Sequence, residues 1–267
     1  MAKLKSATIN VGGLNNDKKR EGIFQTLVND AYDIIALQET HCSLEQVDKW
    51  KSEWPGQSNW TTGRTDQAGV AFLFNNNLNV QILDDDPDDR GRILRLTVKI
   101  DDFEMQLVNV YAKCPINEER SNFFFTQVDN HLASDLPTIM YGDFNMVENI
   151  QMDRKGGNPR VTHTYGLKAL NELKKAHGLI DIWRRLNPKE KQFTWHCRYD
   201  NIESRLDRIY YPQVMAGMVS KSYIKHFVWS DHDACIVEST LPASKKGEGG
   251  TGNSTSNTYS MRTIDKK

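Results

Sequence analysis

Short apolar runs in this chain repeatedly terminate on Asn, Glu or Asp, and that pattern limits the possible folds more than any other feature. Pro137-Thr138-Ile139-Met140-Tyr141 reads as a buried strand, with Gly142-Asp143-Phe144-Asn145 at its C-terminal end. Thr8-Ile9-Asn10 and Ile34-Ile35-Ala36-Leu37-Gln38-Glu39 repeat the arrangement upstream, and Trp229-Ser230-Asp231-His232-Asp233 opens a further apolar run, Ala234-Cys235-Ile236-Val237. Strand ends of this kind are where α/β folds place chemistry. Each residue alone is an ordinary turn former or solvated loop residue. Together, Asn, Glu, Asp and His are the inventory of a site that binds a hard divalent cation and a phosphate, with a carboxylate or histidine left for proton transfer.

The rest of the chain mixes strands and helices. Strands are expected at residues 5–11, 33–38, 69–74, 79–83, 92–100, 103–111, 137–141, 205–211, 220–227 and 234–240, and helices at 18–30, 44–51, 117–133 and 165–177. In the third helix Phe124, Val128 and Leu132 recur at helical spacing and read as core. Periodicity supports a mixed α/β domain. Residues 1–240 form one large domain with enough chain for a substantial core, and residues 241–267, rich in Gly, Ser, Thr and Asn, read as a flexible linker or tail.

A net charge of −1 is unlike that of a tight nonspecific nucleic-acid binder, but the charge is unevenly spread. Asp84-Asp85-Asp86-Pro87-Asp88-Asp89 concentrates negative charge in an expected loop, whereas the segment from Arg184 to Arg208 holds seven Arg or Lys against four Asp or Glu. With Arg154, Lys155, Arg160 and Lys168 it suits a basic face. Cys42, Cys114, Cys197 and Cys235 form no Cys-x-x-Cys pair, so neither a zinc site nor a disulfide framework is indicated and free thiols in a reducing compartment are expected. No apolar run approaches membrane-spanning length and no signal segment is evident, which points to an intracellular protein with no membrane partner.

Six motifs in order carry a resemblance: Asn10, Gln38-Glu39-Thr40, Asn109-Val110-Tyr111, Gly142-Asp143-Phe144-Asn145, Ser204-Arg205-Leu206-Asp207-Arg208-Ile209-Tyr210 and Ser230-Asp231-His232. The set resembles the exonuclease III and apurinic endonuclease superfamily, and within it the endonuclease domain of LINE-type (non-LTR) retrotransposons. The resemblance spans about residues 6–240. It implies a four-layer α/β sandwich, two packed mixed β-sheets flanked by helices. It also implies a Mg²⁺-dependent endonuclease, with Mn²⁺ as the other candidate ion, that nicks double-stranded DNA to leave a 3′-hydroxyl for target-primed reverse transcription. The partners implied in a longer polyprotein are a downstream reverse transcriptase and the element's RNA, and the place of work is the nucleus, although no import signal is evident.

Roles for the site follow from what phosphodiester hydrolysis needs. Glu39 is the expected metal ligand, with Asp231 a second, more distant one. Asp143 would orient and deprotonate the attacking water, and Asn10 and Asn145 would donate to the phosphate or to the carboxylates. His232 would donate to a phosphate oxygen while Asp207 holds its other ring nitrogen, and Tyr111 offers a phenolic donor. One departure stands out. Repair members carry an acid, and several retrotransposon members an amide, at the second position after the Asn; here it is Gly12, followed by Gly13.

Gln192 to Trp195 and Arg205 to Tyr210 look strand-like, and residues 196–204 between them suit a protruding hairpin able to enter a DNA groove. The expected DNA-facing residues are Thr194, His196, Arg198, Tyr199, Asn201, Ser204, Arg205 and Ser230, with Arg154, Lys155 and Arg160 holding phosphates. The alternatives are an apurinic endonuclease of DNA repair, which the Ser204 to Tyr210 motif disfavours, and an inactive DNA-binding module, which the full motif set disfavours.

Overall fold

The computed structural model describes residues 3–63, 68–112, 118–157 and 164–242. Arg160, Cys114 and residues 243–267 of the expected tail lie outside the described residues. In chain order the strands are β1 (Lys3–Asn10), β2 (Ile34–Gln38), β3 (Ser58–Trp60), β4 (Val70–Phe74), β5 (Val80–Pro87), β6 (Ile93–Ile100), β7 (Phe103–Tyr111), β8 (Thr138–Asp143), β9 (Arg154–Lys155), β10 (Leu179–Asp181), β11 (Trp195–His196), β12 (Glu203–Ser204), β13 (Asp207–Pro212), β14 (Val219–Lys225) and β15 (Ala234–Thr240). They form one six-stranded sheet in the order β14-β15-β1-β2-β4-β3, a second in the order β10-β13-β8-β7-β6-β5, and a small sheet β11-β12-β9. β1 and β2 run parallel, as do β7 and β8, within otherwise antiparallel sheets.

The two large sheets pack face to face. Phe72, Phe74, Leu96, Leu107, Tyr141, Ile209 and Val237 fill the space between them, with the Phe72 ring edge-on to Tyr141 at 5.8 Å between centroids. Outside the first sheet, α1 (Asp17–Asn29) and α2 (Val47–Glu53) bury Ile23, Phe24, Leu27 and Trp50. Outside the second lie α3 (Glu118–Asn122), a π-helical segment Phe123–Val128 and α4 (Asp129–Leu132), where the expected helical residues Phe124, Val128 and Leu132 are buried. After the one-turn α5 (Ile150–Asp153), the longer α6 (Thr164–Ala176) covers the same face, adding Leu170 and Leu173 to that core, and α7 (Ile182–Leu186) follows. The result is the four-layer α/β sandwich the resemblance implies. Each buried Phe, Leu or Ile contributes roughly 1.5–3 kcal/mol, so three stacked apolar layers hold the sheets in fixed relation.

The acidic run expected to form a loop is instead largely strand. β5 continues through Asp84, Asp85 and Asp86 to Pro87, leaving Asp88 and Asp89 for the turn. Arg95 on the neighbouring β6 explains this, since its guanidinium reaches Asp84 at 3.0 Å and Asp86 at 3.2 Å on one face of the pair. The exposed acids can therefore be extended without facing one another unpaired.

Candidate active site

The chain's connectivity brings the polar termini to one edge. Parallel neighbours end together, so Asn10 aligns with Gln38 just before Glu39, and Tyr111 aligns with Asp143. Antiparallel neighbours begin where these end, which sets Asp207 opposite Asp143 and His232 immediately before β15. Gly142 is required at its position, because its φ is +156° and a Cβ there would lie 2.1 Å from the Val110 carbonyl oxygen.

Two carboxylate clusters meet through one amide. Asn10 Nδ2 donates at 3.0 Å to Glu39 Oε1 and at 3.0 Å to Asp143 Oδ2, while its Oδ1 accepts the Gly12 N–H. Of the two uses foreseen for Asn10, the bond to the carboxylates is the one found. The Tyr111 hydroxyl donates to Glu39, so the phenol is engaged there. His41 Nε2, which the sequence did not single out, lies 3.6 Å from Glu39 Oε2. Asn145 donates its N–H to Asp143 Oδ1 at 2.8 Å, and its side-chain amide lies 3.4 Å from Oδ2. Glu39 and Asn145 both adopt left-handed backbone, φ 51° and 48°, a strain of about 1–3 kcal/mol per residue that the surrounding bonds sustain.

His232 Nδ1 lies 2.8 Å from Asp207 Oδ2, so the ring donates to the carboxylate as expected, and Asp207 Oδ1 is buried with no hydrogen-bond partner among the described residues. One carboxylate oxygen or ring nitrogen from each of Asp143, Asp207 and His232 lies within 4.8 Å of the others. The donors that cluster thus differ from the expected pair Glu39 and Asp231; Asp231 is partly exposed and its charge acts on His232 and on Lys19 of α1.

The charges are set by opposing effects. Burial would raise the Glu39 carboxyl, but the nearby His41 ring, the hydrogen bonds from Tyr111 and Asn10 and the His232 charge outweigh it and bring it down to about 2. Asp143 moves upward, chiefly because it is fully buried and faces Asp207. Burial would lower His232, yet the Asp207 charge and hydrogen bond lift it to about 10, so the ring carries both protons at neutral pH.

The expected hairpin is present and closed lower than foreseen. Trp195 pairs with Ser204 and His196 with Glu203, and β12 pairs in turn with β9, so Arg154 and Lys155 join the hairpin in one small sheet. Arg198, Tyr199 and Asn201 project from its tip, with Tyr199 93 % exposed. Lys155 meets Glu203 at 3.1 Å, and Arg154 is partly exposed. Three residues expected to face DNA are instead interior. Thr194 is buried, its hydroxyl accepting the N–H groups of Leu206 and Asp207; Ser204 is buried in the β12 pairing; and Arg205 is 1 % exposed. Arg205 meets Asp153 at 2.8 Å and Asp181 at 2.7 Å, which leaves it no surface to offer a phosphate. Ser230 is partly exposed, but its hydroxyl accepts the His232 N–H at 3.1 Å.

Sequence reasoning missed the buried framework behind these groups. Gln38 Nε2 donates to Thr8 and to Asn109, and Asn109 Nδ2 donates to the carbonyls of Leu37 and Ala71, tying the two sheets beneath the site. Asp153 collects Arg184 and Arg205, with Arg208 at 3.9 Å. The uneven charge of residues 184–208 was the only available signal for this second network.

A two-sheet sandwich with a carboxylate and histidine cluster at one edge is the framework of a phosphoester hydrolase. The chain belongs to the Endonuclease/Exonuclease/phosphatase family, whose model matches residues 7–232. It is 28 % identical over 245 residues to the Transposon TX1 uncharacterized 149 kDa protein of Xenopus laevis, covering 90 % of this chain and 18 % of that protein. Its structure is similar to an AP endonuclease from Leishmania major, with TM-score 0.75 and 17 % identity over 90 % of this chain and 88 % of that one. It is similar also to an AP endonuclease from Archaeoglobus fulgidus, with TM-score 0.71 and 20 % identity over 89 % and 100 %. The family match and the transposon relative bear out the resemblance read from the six motifs and the hydrolase class it implies.

Proposed function

We propose that this chain nicks double-stranded DNA, leaving a 3′-hydroxyl, as the endonuclease part of a non-LTR retrotransposon protein whose reverse transcriptase and RNA act beyond it in the nucleus. The observation that carries the reading is the approach of Asp143, Asp207 and His232 within 4.8 Å, tied to Glu39 through Asn10, in a chain related to a transposon protein.

The donor set fits a hard divalent cation such as Mg²⁺: the oxygens are carboxylate, Glu39 is anionic at any working pH, and Asp207 Oδ1 is buried without a partner among the described residues. Glu39 and the unpartnered oxygen of Asp207 would hold it, with Asp231 farther out, and the ion would neutralise charge on the phosphoryl oxygens. Gly12 adds no ligand, so the binding rests on these acids. Asp143, raised above an ordinary carboxylate, is suited to take a proton from the attacking water. Doubly protonated His232, steadied by Asp207, donates to a non-bridging phosphate oxygen. Arg154 and Lys155 hold the backbone beside the hairpin, whose Arg198, Tyr199 and Asn201 meet the groove.

Plasmid nicking with Mg²⁺, compared with EDTA, tests the reading; a purified, folded protein that leaves supercoiled DNA intact under both conditions overturns it. The likeness to solved AP endonucleases favours a second reading, incision at abasic sites, which a duplex with a single abasic site separates from the first.

A further inference from the structure

One buried acid beside the cleft takes no part in the chemistry above. Asp233 follows His232 in the chain and is 9 % exposed, yet its two oxygens have three partners. His196 Nε2 lies 3.0 Å from Oδ2, His226 Nδ1 lies 2.8 Å from Oδ1, and the Phe227 N–H donates to Oδ1 at 3.1 Å. His196 ends β11, the first strand of the hairpin. The same segment is bonded through the backbone: His196 N–H to the Asp231 carbonyl at 3.1 Å, Asp233 N–H to the Thr194 carbonyl at 2.7 Å, with Trp195 bridging His232. The stretch carrying Asp231 and His232 is thus held on one side by the hairpin and on the other by the turn at His226 and Phe227.

So short a backbone ladder does not fix register by itself, since two-residue strands can slip along one another. The Asp233 side chain closes the ladder into a ring, and displacement of β11 must then carry Asp231 and His232 with it. Positioning matters at this scale, because a misplacement of about 1 Å at a reacting centre can cost on the order of 100-fold in rate.

We propose that Asp233 is a positioning residue that transmits the seating of DNA on the hairpin to His232 through His196, so that target preference is expressed as alignment of the catalytic ring. This rests on the reading of the cleft as a DNA-nicking site. The test is single-turnover nicking of two duplexes, one carrying a preferred site mapped with the wild-type protein and one lacking it, using Asp233→Asn, His196→Ala, the double variant and His196→Gln. The expected result is a fall in the preference ratio of about tenfold for each single variant, with the single-turnover rate constant reduced at the preferred site and the half-saturating concentration little changed, and no further fall in the double variant. His196→Gln, whose amide can donate to the same oxygen, retains the ratio. An unchanged ratio, or single effects that multiply in the double variant, overturns the proposal. Amide hydrogen exchange on the free protein provides a second measurement that does not depend on nicking. Asp233→Asn should speed exchange at His196 and at residue 233 together while leaving β8 protected, and unchanged protection at either overturns the clamp. Failure of the wild-type protein to nick any duplex refutes the functional reading alone, and the exchange measurement still decides the clamp.

Discussion

Asp143 and His232 share the neighbour Asp207, whose charge adds to burial in raising the Asp143 carboxyl and, against burial, holds the second proton on His232. Replacing either by Ala should lower nicking by about two orders of magnitude or more, the scale of positioned acid, base and electrostatic groups. Thermal melting should remain cooperative, and wild-type-like nicking by a folded variant removes the assignment. Glu39→Gln keeps the shape and the bond from Asn10 but loses the charge, so its Mg²⁺ titration should be shifted to higher concentration; an unshifted midpoint excludes Glu39 as a ligand. The sequence made these residues legible because each ends or begins a strand, where a polar side chain needs a special reason. It did not reveal that Tyr111 is committed to Glu39, nor which of its two foreseen uses Asn10 takes, because both depend on which strand ends become neighbours across the two sheets.

At the scale of elements, the strands with unbroken apolar runs were all readable, while β3, β9, β10 and β12 were not. Those four span two or three residues and exist only because neighbouring strands present partners to them. The hairpin was foreseen from its polar and aromatic content, but its third strand β9 was not, since Arg154 and Lys155 have no strand pattern of their own. Replacing residues 197–202 with a short Gly-containing turn should leave plasmid nicking measurable and move the nick positions on a long duplex, and an unchanged map removes the hairpin's role. Removing the charges of Arg154 and Lys155 should instead weaken cutting at every position and flatten its dependence on salt, as loss of phosphate contacts does.

Across the whole molecule, the buried charge network around Asp153 is one of the contributors to stability in acid. Burial would raise that carboxyl, but Arg205, Arg208 and Arg184 hold it down to about 2. A carboxylate depressed in the folded state contributes stability above its unfolded value of about 3.9, and that contribution is lost as pH falls toward 2. Chemical denaturation measured between about pH 5 and pH 2 should therefore show a loss of stability that is smaller in Asp153→Asn than in the wild type. At neutral pH the same variant should be less stable by about 3–5 kcal/mol, because Arg205 is left buried with only Asp181 as its close acid partner. The net charge of −1 conceals an uneven spread of charge across the second sheet. β5 forms one edge, and β13, which leads out of the hairpin, lies four strands away, roughly 19 Å at the usual strand spacing. On the proposed function, a polyanion would be pushed from the acidic end of β5 and drawn toward Arg154, Lys155 and Arg198, so the molecule would behave as a compass needle beside DNA, turning a modest attraction into orientation of the cleft.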